Sequence, residues 1–385
     1  MEIPPQDAAH MARAVELAAR GHGTTSPNPV VGCVVLDASG EVVGEGFHAY
    51  AGGPHAEVVA LAQAGERARG GTAYVTLEPC DHTGRTGPCS RALLAAGIAR
   101  VVVAVADPNP KAAGGAARLR AHGVSVTIGV LAGEAARANE EWLTYARLGR
   151  AHVTWKFAAT LDGRSAAEDG TSQWITSPEA RADVHRLRAA SDAIVAGIGT
   201  VLADDPHLTA RPAPSGTDPG AADPGAADPG AAEAGRSARR PVRVVVDSRA
   251  RTPRHARVLD DSAPTLVAVA DDTDTALKAD LLPLPRDAHG LDLDALLREL
   301  AARDVVSAFL EGGPTLAGEF LRRGLVDRVV AYVAPALLGS GRAALGAAGV
   351  GTIAGIHRLT FDEISPIGPD VRLVARPVTQ PGREQ

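Results

Sequence analysis

The sequence predicts an α/β protein of two domains. The chain has 385 residues, more than one ordinary core needs, and 45% of them are apolar, enough to fill two cores. Short β-branched runs alternate with segments whose apolar residues recur at helical spacing. We place the domains at residues 1–148 and 151–377, with the boundary at Leu148-Gly149-Arg150.

In the first half, apolar periodicity predicts a helix over residues 7–20 with Asp7 as its cap. A strand hairpin follows at residues 30–36 and 41–47. A further helix begins near His55, and another begins at Cys89. The remaining elements are three strands and a terminal helix, at residues 72–77, 101–106, 124–128 and 133–147.

The second half repeats the alternation of strands and helices. Strands are predicted at residues 152–160, 193–196, 242–247, 265–270, 305–310 and 329–333. Helices are predicted at residues 178–187, 291–302 and 314–323. Residues 212–240 carry an Asp-Pro-Gly-Ala-Ala repeat without large apolar side chains, which is typical of a flexible surface insertion with no catalytic role.

Charge and composition favour a small-molecule substrate. The net charge is −6 and aromatic residues make up 3% of the chain. The chain therefore lacks both the positive charge that attracts a phosphate backbone and the many aromatic rings on which bases stack. The N-terminus lacks the basic and apolar regions of a secretory signal, and no apolar run reaches the roughly 20 residues of a membrane span. We therefore expect no membrane or nucleic-acid partner and a cytoplasmic protein.

A histidine and two cysteines have the chemistry of a zinc site. The ligands are His55, Cys80 and Cys89, and each is expected where a strand or loop passes into a helix. Three ligands leave a fourth position for water, whose pKa zinc lowers to about 7. Glu57, two residues after the first ligand, is placed to carry protons from that water to a departing amine.

Two other interpretations remain open at this site. A closed structural zinc would need a fourth ligand, for which His48 and His82 are the nearest candidates. A zinc-stabilised binding module without turnover would have no need of an acid such as Glu57. Cys33 lies inside a predicted strand and is expected to pack in the core.

The first half resembles the cytidine-deaminase-like zinc enzymes, with eight residues between the two cysteines in place of their usual two. It is similar in particular to the deaminase half of bifunctional riboflavin-biosynthesis deaminase/reductases, through residues 25–33, 44–48, 76–80 and 107–110. The resemblance implies an α/β/α fold. It also implies that the pyrimidine or its ribosyl phosphate contacts Asn28, His48, Arg85, Asp107 and Asn109, although several of these also suit turns or a solvated strand end.

Two glycine-rich turns in the second half are candidate nucleotide sites. Residues 197–202 begin like a dinucleotide fingerprint but lack its third glycine. The turn at Glu311-Gly312-Gly313 is better placed, because a buried strand ends there and a helix begins, presenting free amides to a pyrophosphate. A glycine-permitted tight turn is the alternative.

The second half resembles the reductase half of the same family, a dihydrofolate-reductase-like α/β domain. The matching pieces are residues 156–164, 172–176, 187–188, 199–206, 208–211 and the turn at Glu311. The resemblance implies that substrate is held by Lys156, Ser172, Arg188, Leu208, Arg211 and Glu311. It implies that NADPH is lined by Ala158, Trp174, Thr200, Asp204, Ser248, Gly313, Pro314, Thr315, Leu316, Ala317, Gly318 and Glu319.

Chemistry suggests roles for some of these residues. Arg188 and Arg211 are candidates to clamp the substrate phosphate, and Asp204 is the acid nominated for proton handling during hydride transfer. Lys156 would contact substrate or cofactor, or else form a buried ion pair.

The resemblance implies a zinc- and NADPH-dependent riboflavin-pathway enzyme that acts on a pyrimidine ribosyl phosphate and forms a homodimer or homotetramer. The alternatives are a related pyrimidine or pterin deaminase–reductase of a secondary pathway and an RNA-editing deaminase, which the acidic charge disfavours.

Overall fold

A five-stranded sheet with helices on both faces forms the first part of the chain. The computed structural model describes residues 3–82, 87–211 and 240–378. The chain divides into two compact units that meet between Gly149 and Arg150. Arg85 and residues 212–239 of the expected insertion lie outside the described residues.

The strands of the first unit are β1 Gly32–Leu36, β2 Val42–Phe47, β3 Thr72–Leu77, β4 Arg100–Val105 and β5 Ser125–Ile128. Their order in the sheet is β2-β1-β3-β4-β5. β1 is antiparallel to β2 and β3, while β3, β4 and β5 are mutually parallel.

Six helices cover this sheet, with a short 3-10 turn at Gly65–Ala68. They are α1 Pro5–Ala19, α2 Ala56–Ala64, α3 Cys89–Ala95, α4 Gly115–Ala121, α5 Ala132–Ala138 and α6 Glu140–Leu148. Glycines let two helices approach the sheet closely: a Cβ on Gly32 would lie 2.0 Å from the Ala14 carbonyl oxygen, and one on Gly44 would lie 2.1 Å from that of Ala60. The result is the predicted α/β/α layering.

Two expectations for this unit were wrong in detail. Asp7 does not cap α1; it lies inside the first turn, where its buried carboxylate accepts a hydrogen bond from the Tyr74 hydroxyl (2.8 Å) and pairs with Arg100. The predicted helix at residues 133–147 is two helices, α5 and α6. Asn139 separates them, and its Oδ1 accepts a hydrogen bond from the Val30 amide (3.1 Å), so a tertiary contact overrides helical propensity.

The strands of the second unit are β6 His152–Thr160, β7 Ala193–Gly197, β8 Val242–Val246, β9 Thr265–Ala270, β10 Asp280–Leu284, β11 Arg286–Asp287, β12 Gly290–Leu291, β13 Ser307–Leu310, β14 Arg328–Ala334, β15 Leu359–Ile367 and β16 Asp370–Pro377. Nine of them form one sheet in the order β10-β9-β8-β7-β13-β6-β14-β16-β15, while β11 and β12 form a separate antiparallel pair. In the nine-stranded sheet the first seven strands of that order pair in parallel, and β16 and β15 add an antiparallel hairpin at one edge.

Side-chain caps begin two of the helices of this unit. Ser177 accepts a hydrogen bond from the Ala180 amide (3.2 Å), and Asp292 accepts one from Ala295 (3.0 Å). The helices are α7 Pro178–Ala190, α8 Ile198–Asp204, α9 Leu293–Ala301 and α10 Pro314–Arg322, with 3-10 turns at Arg257–Leu259 and Ile353–Gly355. Apolar clusters fill both faces of the sheet.

Several elements were not predicted because their sequences lack the apolar periodicity that marks a buried strand or an amphipathic helix. α8 starts in the glycine-containing stretch that resembled a dinucleotide turn, and β15 is exposed along almost its whole length. An exposed strand shows no alternation of apolar and polar residues. Among the described helices, none is both long and apolar enough to cross a membrane.

Candidate active sites

The three predicted metal ligands come together in the first unit. His55 directly precedes α2, Cys80 follows β3, and Cys89 is the first residue of α3. His55 Nδ1 lies 3.2 Å from Cys89 Sγ and 3.6 Å from Cys80 Sγ. One ligand atom from each residue lies within 4.8 Å of the others. Residues far apart in sequence thus form one cluster.

Backbone hydrogen bonds fix the two cysteines relative to each other. The Cys89 amide donates to Cys80 Sγ (3.4 Å), and the Ser90 amide donates to the Cys80 carbonyl (3.2 Å). Cys80 is also held at the end of β3, whose last five residues are buried. The strand end and the helix start therefore present both sulfurs to one point.

The donor set fits zinc. The hydrogen bond with Cys89, together with His55, lowers the pKa of Cys80 to about 4, while the same bond raises the pKa of the Cys89 thiol. Zinc binds cysteine as the thiolate, so the lowered pKa of Cys80 favours the form that would ligate the metal. Two sulfurs and an imidazole are ligands that zinc prefers, and three protein ligands are typical of a catalytic site with an open position.

The histidines nearest in sequence do not close this site. His48 Nδ1 donates to the Pro54 carbonyl (3.0 Å), which leaves its Nε2 to accept from the Asn28 amide (3.3 Å). Both ring nitrogens of His48 are therefore engaged. Within the described part of the chain, neither His48 nor His82 belongs to the ligand group.

Glu57 lies in the first turn of α2 and is only 3% exposed. Burial raises the pKa of its carboxyl group, which makes the neutral form more accessible than in water. A carboxyl group that can hold a proton beside an open metal position has the properties of a general acid and base.

The predicted pyrimidine contacts surround this cluster in part. Asn28 and His48 are hydrogen-bonded to each other, and the His48 ring centroid lies 5.5 Å from that of His55. Asp107 follows β4, and Asp107 Oδ1 accepts from the Asn109 amide (2.8 Å), so this pair also forms a turn. Burial raises the pKa of Asp107. Their contact with substrate remains a prediction.

Two acidic residues on either side of Cys80 were not predicted as part of the site. Asp81 Oδ1 accepts from the Ser90 hydroxyl (2.6 Å) and pairs with Arg118 of α4. Glu78 binds backbone amides of the chain after β4. The sequence signal was the presence of a carboxylate two residues before and one residue after a metal ligand.

The second unit contains a cavity of about 1460 Å³. It lies where parallel strands end, which is the usual position of ligands in α/β sheets. Its volume exceeds the roughly 300–1,000 Å³ of a single ligand pocket, which fits a dinucleotide together with a substrate. The predicted residues that line it are Lys156, Ala158, Ser172, Trp174, Arg188, Thr200, Asp204, Leu208, Arg211, Glu311, Gly313 and Pro314.

An ion pair is buried in the wall of this cavity. Arg188 Nε donates to Glu311 Oε1 (2.8 Å), a second guanidinium nitrogen bonds the other carboxylate oxygen, and Arg188 also donates to the Thr209 carbonyl (3.3 Å). Burial would raise the pKa of Glu311, but Arg188 and Lys156 outweigh burial and hold it below its usual value. Burial lowers the pKa of Lys156.

Six residues predicted to line the cofactor do not line the cavity. The Ser248 carbonyl accepts from the Thr273 hydroxyl (2.9 Å), and Glu319 pairs with Arg322. Ala317 is buried in the core, and a Cβ on Gly318 would lie 2.4 Å from the Ala347 carbonyl. The residues outside the lining are Ser248, Thr315, Leu316, Ala317, Gly318 and Glu319.

One face of α7 supplies cavity residues that were not predicted. Arg181 and His185 line the cavity with Arg188, and the Arg181 guanidinium carbon lies 4.5 Å from the Trp174 ring centroid. His185 Nδ1 accepts from the Arg211 amide (3.2 Å). The spacing of these three basic residues at positions i, i+4 and i+7 was the available signal.

Comparisons with known proteins match both units. The family model of the cytidine and deoxycytidylate deaminase zinc-binding region matches residues 4–105. The family model of the RibD C-terminal domain matches residues 151–373. Riboflavin biosynthesis protein RibD of Escherichia coli (strain K12) is 46% identical over 378 residues, covering 96% of this chain and 98% of that protein.

Two solved structures resemble the whole chain. Acinetobacter baumannii RibD (form 1) has a TM-score of 0.83 at 39% identity, covering 97% of this chain and 99% of that one. A Thermotoga maritima diaminohydroxyphosphoribosylaminopyrimidine deaminase/5-amino-6-(5-phosphoribosylamino)uracil reductase has a TM-score of 0.80 at 33% identity, with coverages of 97% and 99%.

The fold and the two sites define an enzyme that joins a zinc-dependent deaminase, of the cytidine-deaminase type, to an NADPH-dependent reductase in one chain. The chain belongs to the RibD family of bifunctional riboflavin biosynthesis proteins.

Proposed function

We propose that the first unit hydrolyses the exocyclic amine of 2,5-diamino-6-ribosylamino-4(3H)-pyrimidinone 5′-phosphate and releases ammonia. The second unit then reduces the ribosyl group of the product to ribityl with NADPH, giving 5-amino-6-ribitylamino-uracil 5′-phosphate. The observation that carries the proposal is the cluster of His55, Cys80 and Cys89 beside the buried Glu57, in a chain that also contains a dinucleotide-sized cavity.

In the deaminase site, each residue has a distinct task. His55, Cys80 and Cys89 would hold a zinc ion, which would supply the Lewis-acid chemistry that makes a water acidic near neutral pH. Glu57 would accept a proton from the attacking water and donate it to the leaving amine. Asn28 binds the pyrimidine edge with Asp107, Asn109 and Arg85, and His48, already hydrogen-bonded to Asn28, orients the Asn28 amide beside the ring.

In the reductase site, NADPH supplies the hydride. Arg188 is committed to Glu311, so its guanidinium orients that carboxylate and is not the free phosphate clamp. Arg211 and Lys156 are left to hold the substrate phosphate and sugar. Asp204, exposed at the end of α8, handles the proton that accompanies hydride transfer.

The domain limits, the assembly and the compartment belong to the same proposal. We assign deamination to residues 1–148 and reduction to residues 151–377. The chain forms a homodimer or homotetramer through β15, an edge strand with exposed Phe361 and Ile364. A reducing compartment, the cytoplasm, suits its free cysteines.

An assay of both steps on the proposed substrate tests this function. Zinc-loaded protein should release ammonia, and NADPH should be oxidised only after deamination. Removing zinc with a chelator should stop ammonia release while sparing NADPH oxidation on substrate that is already deaminated. Absence of ammonia release by the zinc-loaded protein would show that the deaminase assignment is wrong.

A further inference from the structure

Glu78 lies between the end of β3 and the metal ligand Cys80, and its carboxylate binds one loop through three backbone amides. Glu78 Oε2 accepts from the Asp107 amide (3.2 Å). Glu78 Oε1 accepts from the amides of Gly114 (3.2 Å) and Ala116 (3.0 Å). Hydrogen bonds to a charged acceptor are stronger than neutral ones, so one side chain fixes both ends of residues 107–116. This segment, called loop 107–116 below, runs from the end of β4 into the first turn of α4.

Loop 107–116 is also held by the residues that follow Glu78. A Cβ on Gly115 would lie 1.8 Å from the Pro79 carbonyl oxygen, so the two backbones touch directly. The Asp81 amide donates to the Ala112 carbonyl (2.9 Å). The short segment around Cys80 thus serves two purposes: it presents a metal ligand on one side and fastens loop 107–116 on the other.

Loop 107–116 carries two of the side chains that are proposed to bind the pyrimidine, the carboxylate of Asp107 and the amide of Asn109. Their own mutual hydrogen bond shapes the turn but does not anchor it to the sheet. The side chain that anchors it is Glu78, which is half-buried and whose carboxylate bonds all go to that loop, while its own amide bonds the Val105 carbonyl of β4 (2.9 Å). Its distance of two residues from Cys80 ties the substrate-binding loop to the metal site.

We propose that Glu78 is a positioning residue of the deaminase site, which sets Asp107 and Asn109 against the pyrimidine by holding loop 107–116. It acts through the loop and does not touch the substrate. The inference rests on the proposed function, because it concerns substrate binding by that loop.

Glu78→Gln in the full-length, zinc-loaded protein tests the inference. The amide has the same size, but its NH2 group faces backbone donors and cannot accept from them, so at least one bond to the loop is lost. We expect KM for ammonia release to rise about tenfold, the factor that corresponds to 1.4 kcal/mol. Meanwhile kcat should change less than about threefold, and zinc content and NADPH oxidation should stay unchanged.

Hydrogen exchange distinguishes positioning from general loss of structure. In Glu78→Gln, amide exchange should accelerate within residues 107–116 and stay unchanged in β3 and β4. Glu134→Gln, an exposed glutamate of α5, is the matched control and should leave both KM and exchange unchanged.

A double-mutant cycle with Asp107→Asn gives a second, independent measurement. If Glu78 acts through Asp107, the second substitution should raise KM little in the Glu78→Gln background. Full additivity, an unchanged KM or a loss of zinc in Glu78→Gln would each overturn the inference. Wild-type protein that releases no ammonia would instead refute the proposed function.

Discussion

Single residues with strong chemical identity were predictable from the sequence. His55, Cys80 and Cys89 were assigned as ligands because two thiolates and an imidazole are a typical ligand set of catalytic zinc, and the structure brings them together. The partner of Arg188 was not predictable, because Glu311 is 123 positions away. Sequence shows which side chains can form an ion pair, but only the fold decides which of them meet.

Glu57→Gln tests the residue that handles protons in the deaminase site. The amide preserves size but cannot transfer a proton, so ammonia release should fall by about 10²–10⁴-fold. Zinc content and NADPH oxidation on deaminated substrate should match wild type. An enzyme that kept more than a tenth of its deaminase activity would refute the role of Glu57.

At the scale of elements, the positions of buried strands and amphipathic helices were predicted well. The roles of polar residues that form tertiary hydrogen bonds were predicted poorly. β3, β6 and β9 have the predicted bounds, because their apolar runs are bounded by turns. The break at Asn139 and the true role of Asp7 were missed, since each depends on a tertiary hydrogen bond that no local pattern encodes. Local propensity is overridden where a buried polar group finds a distant partner.

Asp7 links α1 to two strands of the sheet, and this gives a pH dependence. The hydrogen bonds from Arg100 lower the pKa of Asp7, although burial opposes them. A lowered pKa means that the ion pair stabilises the fold above the unfolded pKa of about 4 and is lost as pH falls through the folded value.

Asp7→Asn should therefore lower the free energy of unfolding by about 1–3 kcal/mol at pH 7, because a charged acceptor is replaced. The difference from wild type should shrink as the pH is lowered from 5 to 3. Denaturant unfolding at each pH measures it. A difference that stayed constant over this range would contradict the ionised role of Asp7.

At the scale of the whole molecule, β15 leaves an apolar stripe on the edge of the nine-stranded sheet. A bulge between Phe361 and Glu363 shifts the register by one residue. Leu359, Phe361 and Ile364 therefore share one face, each 41% to 62% exposed. Exposed apolar edge strands are surfaces that proteins normally cover, which supports the proposed association with a second copy.

Phe361→Glu combined with Ile364→Glu should reduce the oligomer to a smaller species in sedimentation velocity, because two charges would be placed in the apolar stripe. Thr360→Glu, exposed on the opposite face of the same strand, is the control and should leave the assembly intact. A wild-type chain that sediments as a monomer would disprove the association.

The strand order of the second unit also dictates when it can form during synthesis. β6 ends at Thr160, yet its two neighbours, β13 and β14, begin only at Ser307 and Arg328. At about 5–20 residues per second, a ribosome needs roughly 7–30 s to supply the first of those partners. By then every strand of the first unit has been made. The first unit can therefore fold on the nascent chain, while β6 stays without its sheet neighbours until most of the chain has been made.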